Sequence, residues 1–204
     1  MSVACRVFLV RHGEVANPNH VVYGDLPGFH LSPAGVLQAH GAADHLARLP
    51  IDAVVTSPLA RAFETASVIA LRHRIDPVPD SRLTESDQFD HWTGNRWDSI
   101  AVLFGDEFET YLADASAIDG GAALRRVSSR IIATIEEQIA VGRRGIVVVS
   151  HQDPIAATRL ALTGGHFRSL RIQPPSHGEV ICLTRDDDGR WTETSRWSPP
   201  HPQR

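Results

Sequence analysis

Arg11-His12-Gly13-Glu14 follows directly on the apolar run Val7-Phe8-Leu9-Val10. The order places a guanidinium and an imidazole at the mouth of a buried strand, and in open α/β sheets ligands bind at the carboxyl ends of strands. Ile146-Val147-Val148-Val149 delivers Ser150-His151 in the same way. A lone histidine at a strand end is more often structural than not. Two such junctions in one chain point to a site for an anion, phosphate foremost, and arginine suits that task because its planar fork can donate twice to a phosphate.

The elements that must carry these residues can be read from period and punctuation. Residues 5–10 predict a central strand, apolar on both faces. A long loop over 16–31 follows, and loops of that length in compact domains are commonly functional. Ser32-Pro33 marks a helix start, serine as the cap and proline at the first helical position. Val36, Ala39, His40, Ala43, Leu46 and Ala47 recur at helical spacing up to Leu49-Pro50. Residues 53–56 predict a short strand, and Ser57-Pro58 repeats the capping signal for a helix to about Leu71. Residues 73–120 are less regular and read as an insertion, a lid or side wall with one or two short helices. Residues 122–141 are helical, with Leu124, Val127, Ile131 and Ile135 in one stripe. A buried strand over 146–149 and a helix opened by Asp153-Pro154 complete the alternation. Residues 179–184 and 191–197 predict a hairpin around Asp188-Gly189. The tail Ser198-Pro199-Pro200-His201-Pro202 cannot continue a strand and is expected to fray or lie on the surface. The fold class expected is α/β, a three-layer α/β/α sandwich with a mostly parallel sheet, a small inserted lid and a C-terminal antiparallel hairpin. The chain reads as one domain over 1–204, with the insertion at about 73–120.

Composition narrows the function. The net charge is −4, so no basic surface argues for nucleic acid or an anionic membrane. All 20 basic residues are arginine, which removes a phosphate-loop lysine and a Schiff-base lysine from consideration. A bias that runs through the whole chain reflects the base composition of a gene rather than the needs of a site. The two cysteines, Cys5 and Cys182, make neither a disulfide framework nor a zinc site, and they read as small buried apolar residues. His40 and His45 sit five apart on a helix, and no histidine set shows metal-ligand spacing, so neither metal nor cofactor is expected. Residues 1–6 lack the pattern of a leader. No stretch approaches the roughly 20 apolar residues of a membrane span. A cytoplasmic chain with a small-molecule partner is expected, with a homodimer left open.

Leu9-Val10-Arg11-His12-Gly13-Glu14 resembles the signature of the histidine phosphatase superfamily, the phosphoglycerate-mutase-like fold. Leu31-Ser32-Pro33-Ala34-Gly35, Thr56-Ser57-Pro58-Leu59-Ala60-Arg61, Arg82-Leu83-Thr84-Glu85 and Val148-Val149-Ser150-His151 resemble that family's further motifs, in family order, over residues 6 to about 160. The first tetrapeptide alone is moderately specific, and the set together is strong.

The resemblance implies that His12 is the nucleophile, forming a phosphohistidine that splits one hard hydrolysis into two easier steps. The ring nitrogen away from phosphorus must then keep its proton, which needs an acceptor such as the Gly13 carbonyl or a neighbour. Gly13 is expected to keep bulk away from the phosphate or to supply a positive φ. Arg11 and Arg61 would clamp the phosphoryl oxygens, since phosphoryl transfer asks mainly for positioning and charge stabilisation. A cation in the first turn of a helix, as Arg61 would be, opposes the helix dipole and makes sense if an anion arrives. His151 would be the third donor or cation. Glu85 is the candidate general acid and base, protonating the ester oxygen and then activating water. Phe89-Asp90-His91-Trp92-Thr93-Gly94 follows it with about one extra residue relative to the family pattern, which leaves Asp87 as a rival. Asn17, with Asn19 as an alternative, is a candidate to orient substrate, and Tyr23 a candidate to line the entrance. His177 and Trp92 are further candidates for the border. Gln152-Asp153 stands where a glycine-rich follow-on is usual, a change that would narrow the pocket or shift specificity.

These readings imply a metal-independent phosphatase acting on a small phosphomonoester, with phosphate ester or inorganic phosphate as the ligand. A cofactor-dependent mutase of the phosphoglycerate type, or an inactive phosphate-binding scaffold on the same fold, remain the alternatives. The short 73–120 region favours hydrolysis, because a mutase must hold its phosphoenzyme dry.

Overall fold

The computed structural model describes residues 5–200. A six-stranded sheet has the order β3-β2-β4-β1-β5-β6. Its strands are β1 (Cys5–Arg11), β2 (Ala53–Thr56), β3 (Val78–Pro79), β4 (Gly145–Ser150), β5 (Val180–Arg185) and β6 (Trp191–Trp197). β1, β2, β3 and β4 are parallel, while β5 and β6 run antiparallel as the expected hairpin. Gly189 takes φ 80° in its turn, a conformation that costs glycine nothing.

β1 shows how one strand supplies two cores. Val7 and Leu9 point to one face, where they meet Val148, Ile155 and Ile181, and Ile131 and Ile135 from the helix α4 (Ala122–Ala140). Phe8 and Val10 point to the other and meet Ala42, Ala43 and Leu46 of α1 (Pro33–Leu46) and Ala62, Ala66 and Ile69 of α2 (Ala60–His73). Side-chain alternation with period two makes this unavoidable for a strand whose four central residues, Val7 to Val10, are all apolar. With α5 (Gln152–Thr163) beside α4, helices cover both faces, giving the three-layer α/β/α sandwich.

Ser32 caps α1 as expected, its Oγ accepting from Gly35 N at 3.0 Å. Ser57 does not cap α2 in the same way. That helix starts at Ala60 with Leu59 in the cap position and no side-chain cap, while the Ser57 hydroxyl accepts from Leu59 N at 3.3 Å and meets His151 Nε2 at 2.9 Å. α5 likewise starts one residue before Asp153-Pro154, at Gln152. The segment expected to hold short helices contains α3 (Trp97–Asp114), 18 residues long and broken at Gly105. Ile100 and Tyr111 bury its inner side against Trp92, Leu124, Val127, Ala156 and Ala157. The helix was hard to read because Trp97, Val102, Leu103 and Leu112 are apolar yet exposed, which blurs the stripe. The tail is tied down as far as it is described: Ser198 Oγ donates to Glu179 Oε2 at 3.1 Å, and Pro199 packs near Gly178. His201, Pro202 and the residues before Cys5 lie outside the described residues. Among the described residues no helix is long and apolar enough to cross a membrane.

Candidate active site

Sheet register brings the two histidines together. Arg11 pairs with Ser150 across the parallel β1 and β4. The next residue of each strand, His12 and His151, therefore leaves the sheet edge beside the other, and His12 N donates to Ser150 O at 3.0 Å. Their ring centroids stand 5.2 Å apart, edge to face. Both are buried, His12 at 2% and His151 at 0% exposure.

His12 Nδ1 lies 2.7 Å from the Gly13 carbonyl. A carbonyl only accepts, so Nδ1 carries the proton and Nε2 keeps its lone pair. Burial, then His151, Arg11 and Arg61, push the His12 imidazolium well below the usual histidine range. The ring is thus held neutral, and its second nitrogen keeps a lone pair that can accept a proton or attack an electrophile.

Gly13 is needed for a reason other than those expected. Its φ is not positive, and a Cβ there would stand 2.4 Å from the backbone oxygen of Gly35. The turn after β1 presses directly on the start of α1. Gly13 N donates to Thr65 Oγ1 of α2 at 3.1 Å, so the residue ties β1, α1 and α2 at one point.

Arg61, in the first turn of α2, is 1% exposed. Its Nη2 donates to Gly24 O at 2.7 Å and to His151 Nδ1 at 3.2 Å, and the guanidinium lies 4.7 Å from the Tyr23 ring centre. Arg11 donates through Nη1 to Gln152 Oε1 at 2.7 Å and Pro175 O at 2.8 Å, and through Nη2 to His177 Nε2 at 2.9 Å. Neither guanidinium has a carboxylate partner within 4.0 Å among the described residues, and the Nε of each is buried without a hydrogen bond. Burial lowers both, the direction expected for cations awaiting a counterion.

Glu85 sits in the segment between β3 and α3. Ser86 N donates to its Oε1 at 2.9 Å, Arg130 Nη2 donates to its carbonyl at 3.1 Å, and its Oε2 lies 4.0 Å from His151 Nδ1. Burial, then the Asp153 charge, raise its carboxyl to about 7. A carboxyl poised there can be an acid and then a base at neutral pH. Asp87 is turned away, exposed and paired with Arg126 at 3.0 Å. Asn17 is also set apart: its amide and carbonyl both bond the backbone of Val21, so it braces the loop rather than lining the cavity. Asn19 is exposed. Tyr23 does line the cavity and stacks on Phe29.

A cavity of about 510 Å³ opens above these groups, bordered by Arg11, Glu85, Tyr23, Trp92, His177 and residues of α3. Residues that the motifs did not single out complete the site. Ser57 Oγ lies 2.9 Å from His151 Nε2. Thr65 holds Gly13, and Gln152 with His177 holds Arg11. Tyr111 and Arg171 form the outer wall. The odd Gln152 after the second histidine was a signal for this, since its side chain has to go somewhere near the strand ends. Among the described residues no group of three or more His, Cys, Asp or Glu is arranged to hold a metal ion.

Comparison with known proteins shows what the chain as a whole is similar to. The family model of the histidine phosphatase superfamily (branch 1) matches residues 7–198. The uncharacterized protein Rv0525 of Mycobacterium tuberculosis is 39% identical over 192 residues, covering 90% of this chain and 91% of the relative. Phosphoserine phosphatase 1 of Hydrogenobacter thermophilus is 30% identical over 165 residues, covering 78% of this chain and 76% of the relative. The structure of mycobacterial glucosyl-3-phosphoglycerate phosphatase Rv2419c in complex with VO3 superimposes with a TM-score of 0.82 at 26% identity, covering 94% of this chain and 98% of that one.

Proposed function

The chain belongs to the histidine phosphatase superfamily, and on that footing we propose that it hydrolyses a small phosphomonoester, without a metal, through a phosphohistidine at His12. The observation that carries the reading is the His12 ring: its Nδ1 proton is committed to the Gly13 carbonyl, its Nε2 keeps the lone pair, and the two guanidiniums that act on it, Arg11 and Arg61, have no carboxylate within 4.0 Å among the described residues. Arg11 and Arg61 take the phosphoryl oxygens as the substrate enters, and the neutral imidazole attacks phosphorus in line. Glu85 protonates the departing alkoxide. As carboxylate, it then takes a proton from the water that cleaves the phosphorus–nitrogen bond, and phosphate leaves with His12 restored. Asp87 does not serve, because it points to Arg126 at the surface. The segment over about 73–120 acts as side wall and lid of one catalytic unit. The likeness to a phosphoserine phosphatase and to a glucosyl-3-phosphoglycerate phosphatase supports a small phosphate ester.

The test is phosphate release from an aryl phosphate in the presence of EDTA, together with trapping of the phosphoenzyme under alkaline quench. Release that persists in EDTA and labelling that disappears in His12→Ala are the results expected. Transfer between phosphoglycerates without net hydrolysis would establish the mutase instead, and phosphate binding without turnover the scaffold.

A further inference from the structure

Two arginines line the cavity, Arg11 and Arg171, and the hydrolytic reaction leaves Arg171 without a task. Its guanidinium lies 4.5 Å from the Tyr111 ring centre, and its Nη1 donates to the Tyr111 hydroxyl. It borders the cavity and is partly buried. Among the described residues no carboxylate lies within 4.0 Å of it. Seven arginines elsewhere in the fold do have such a partner. A guanidinium shelved on an aromatic ring, with one hydroxyl as its only bonded acceptor, leaves most of its donor fork free.

On the phosphatase reading the phosphoryl group meets His12, Arg11 and Arg61, of which Arg11 also borders the cavity. Arg171 is not part of that cluster. It shares the cavity wall with Tyr111 and Asp153. Its donor goes to Tyr111 and not to His12, His151 or Glu85, which leaves it in the wall for the alcohol portion of the ester.

Resting on the phosphatase reading, we infer that Arg171 receives a second anionic group, a carboxylate or a further phosphate, carried on the alcohol portion of the substrate. The acidic side chains in the same wall do not cancel it. Asp153 is 9% exposed and takes the Gln152 amide at 3.3 Å, and burial pushes its carboxyl up toward the neutral form. Asp90 lies at the exposed rim. The aromatic shelf matters as well, because it keeps the guanidinium plane presented while giving up little charge to water.

The experiment compares matched pairs: 3-phosphoglycerate with glycerol 3-phosphate for the carboxylate, and fructose 1,6-bisphosphate with fructose 6-phosphate for the second phosphate. kcat/KM is measured for each, with an aryl phosphate alongside, in the wild-type chain, Arg171→Gln and Arg171→Lys. Affinity is measured by calorimetry in His12→Ala and in His12→Ala with Arg171→Gln, which needs no turnover. One pair is expected to favour its more anionic member, and Arg171→Gln to lower that preference by about 10- to 100-fold, mainly through KM or Kd. Arg171→Lys retains part of it, since the charge stays and the fork is lost. The pair that responds tells which anion is read. Absence of preference in both pairs overturns the inference, as does an equal loss on the aryl phosphate, which would mean that Arg171 only holds Tyr111 in place. Failure of the aryl phosphate to turn over removes the phosphatase reading instead, and the calorimetric pairs still decide the role of Arg171.

Discussion

Arg61 Nη2 stands 3.2 Å from His151 Nδ1. A guanidinium can only donate, so the imidazole accepts at Nδ1 and keeps its proton on Nε2, 2.9 Å from Ser57 Oγ. His151 is therefore a neutral donor in the free site and not the third cation that its position suggests. Burial first, then Arg61 and Arg11, hold it well below the usual histidine range.

The same environment holds His12 neutral, and this sets the acid side of the pH profile. With both imidazoles depressed, neither gains a proton as pH falls through 6.5, where an ordinary histidine titrates. Once the titration of the substrate phosphate is allowed for, kcat/KM on an aryl phosphate should stay flat from pH 7.5 down through 6. A loss centred near 6.5 would show that the nucleophile is not shielded as the geometry requires.

On the proposed mechanism Glu85 sets the basic side, and only for poor leaving groups. An alkoxide must be protonated as it departs, whereas a phenolate leaves with little help. With the Glu85 carboxyl near 7, kcat/KM on an alkyl phosphate should fall as pH rises through that value, while the aryl profile does not. Glu85→Gln should slow the alkyl ester by about 10²- to 10⁴-fold and the aryl ester far less at the first chemical step. Equal losses on both substrates would remove Glu85 from the role of acid.

The raised carboxyl also lowers stability at high pH. An unfolded glutamate loses its proton near 4.5 and this one near 7, so the folded chain binds more protons between those values. The stability that the neutral form contributes is present below 4.5, is lost as pH rises to 7, and stays lost above. Glu85→Gln removes the ionisation, so urea unfolding should show the variant matching the wild type at pH 4.5 and exceeding it by about 1–3 kcal/mol at pH 8. The functional group is thus held at the expense of the fold.

Much of this was legible before any coordinates. A strand with four apolar residues in a row has to be central, so β1 and β4 announced themselves, and the residue that follows each had to emerge at the ligand edge. The family resemblance singled out Arg61, with its conflict with the helix dipole in support, and the protonation that a nucleophilic imidazole needs asked for an acceptor at Gly13 or a neighbour. The failures share a cause: they depend on partners far away in sequence. Ser57 looked like a cap because its neighbourhood copies Ser32-Pro33, but the hydroxyl goes to His151, 94 residues away. Asn17 looked like a ligand because it is polar and near the motif, yet it satisfies the backbone of Val21. Gly13 looked like a pocket or turn glycine, and the group that forbids a side chain there belongs to α1. Tyr111 and Arg171 carry no local signal, because α3 hides its buried side behind exposed apolar residues.

Gly13 gives the sharpest test of how tightly fold and chemistry are joined. A methyl group at this position meets the Gly35 backbone oxygen at 2.4 Å, well inside any contact that a carbon makes. Backbone cannot rotate away as a side chain can, so the turn and the start of α1 must separate. Overpacking of this kind costs about 1–3 kcal/mol, which the urea midpoint of Gly13→Ala should record. The displaced turn also carries the carbonyl that fixes the His12 tautomer and the amide bonded to Thr65. Once that carbonyl moves, the proton is no longer confined to Nδ1 and the free nitrogen is no longer reserved for phosphorus. Activity measured where Gly13→Ala is fully folded should therefore drop through kcat, with KM for the ester much less changed because Arg11 and Arg61 are untouched. A variant that lost stability but kept its kcat would show that the carbonyl of residue 13 is not what prepares the nucleophile.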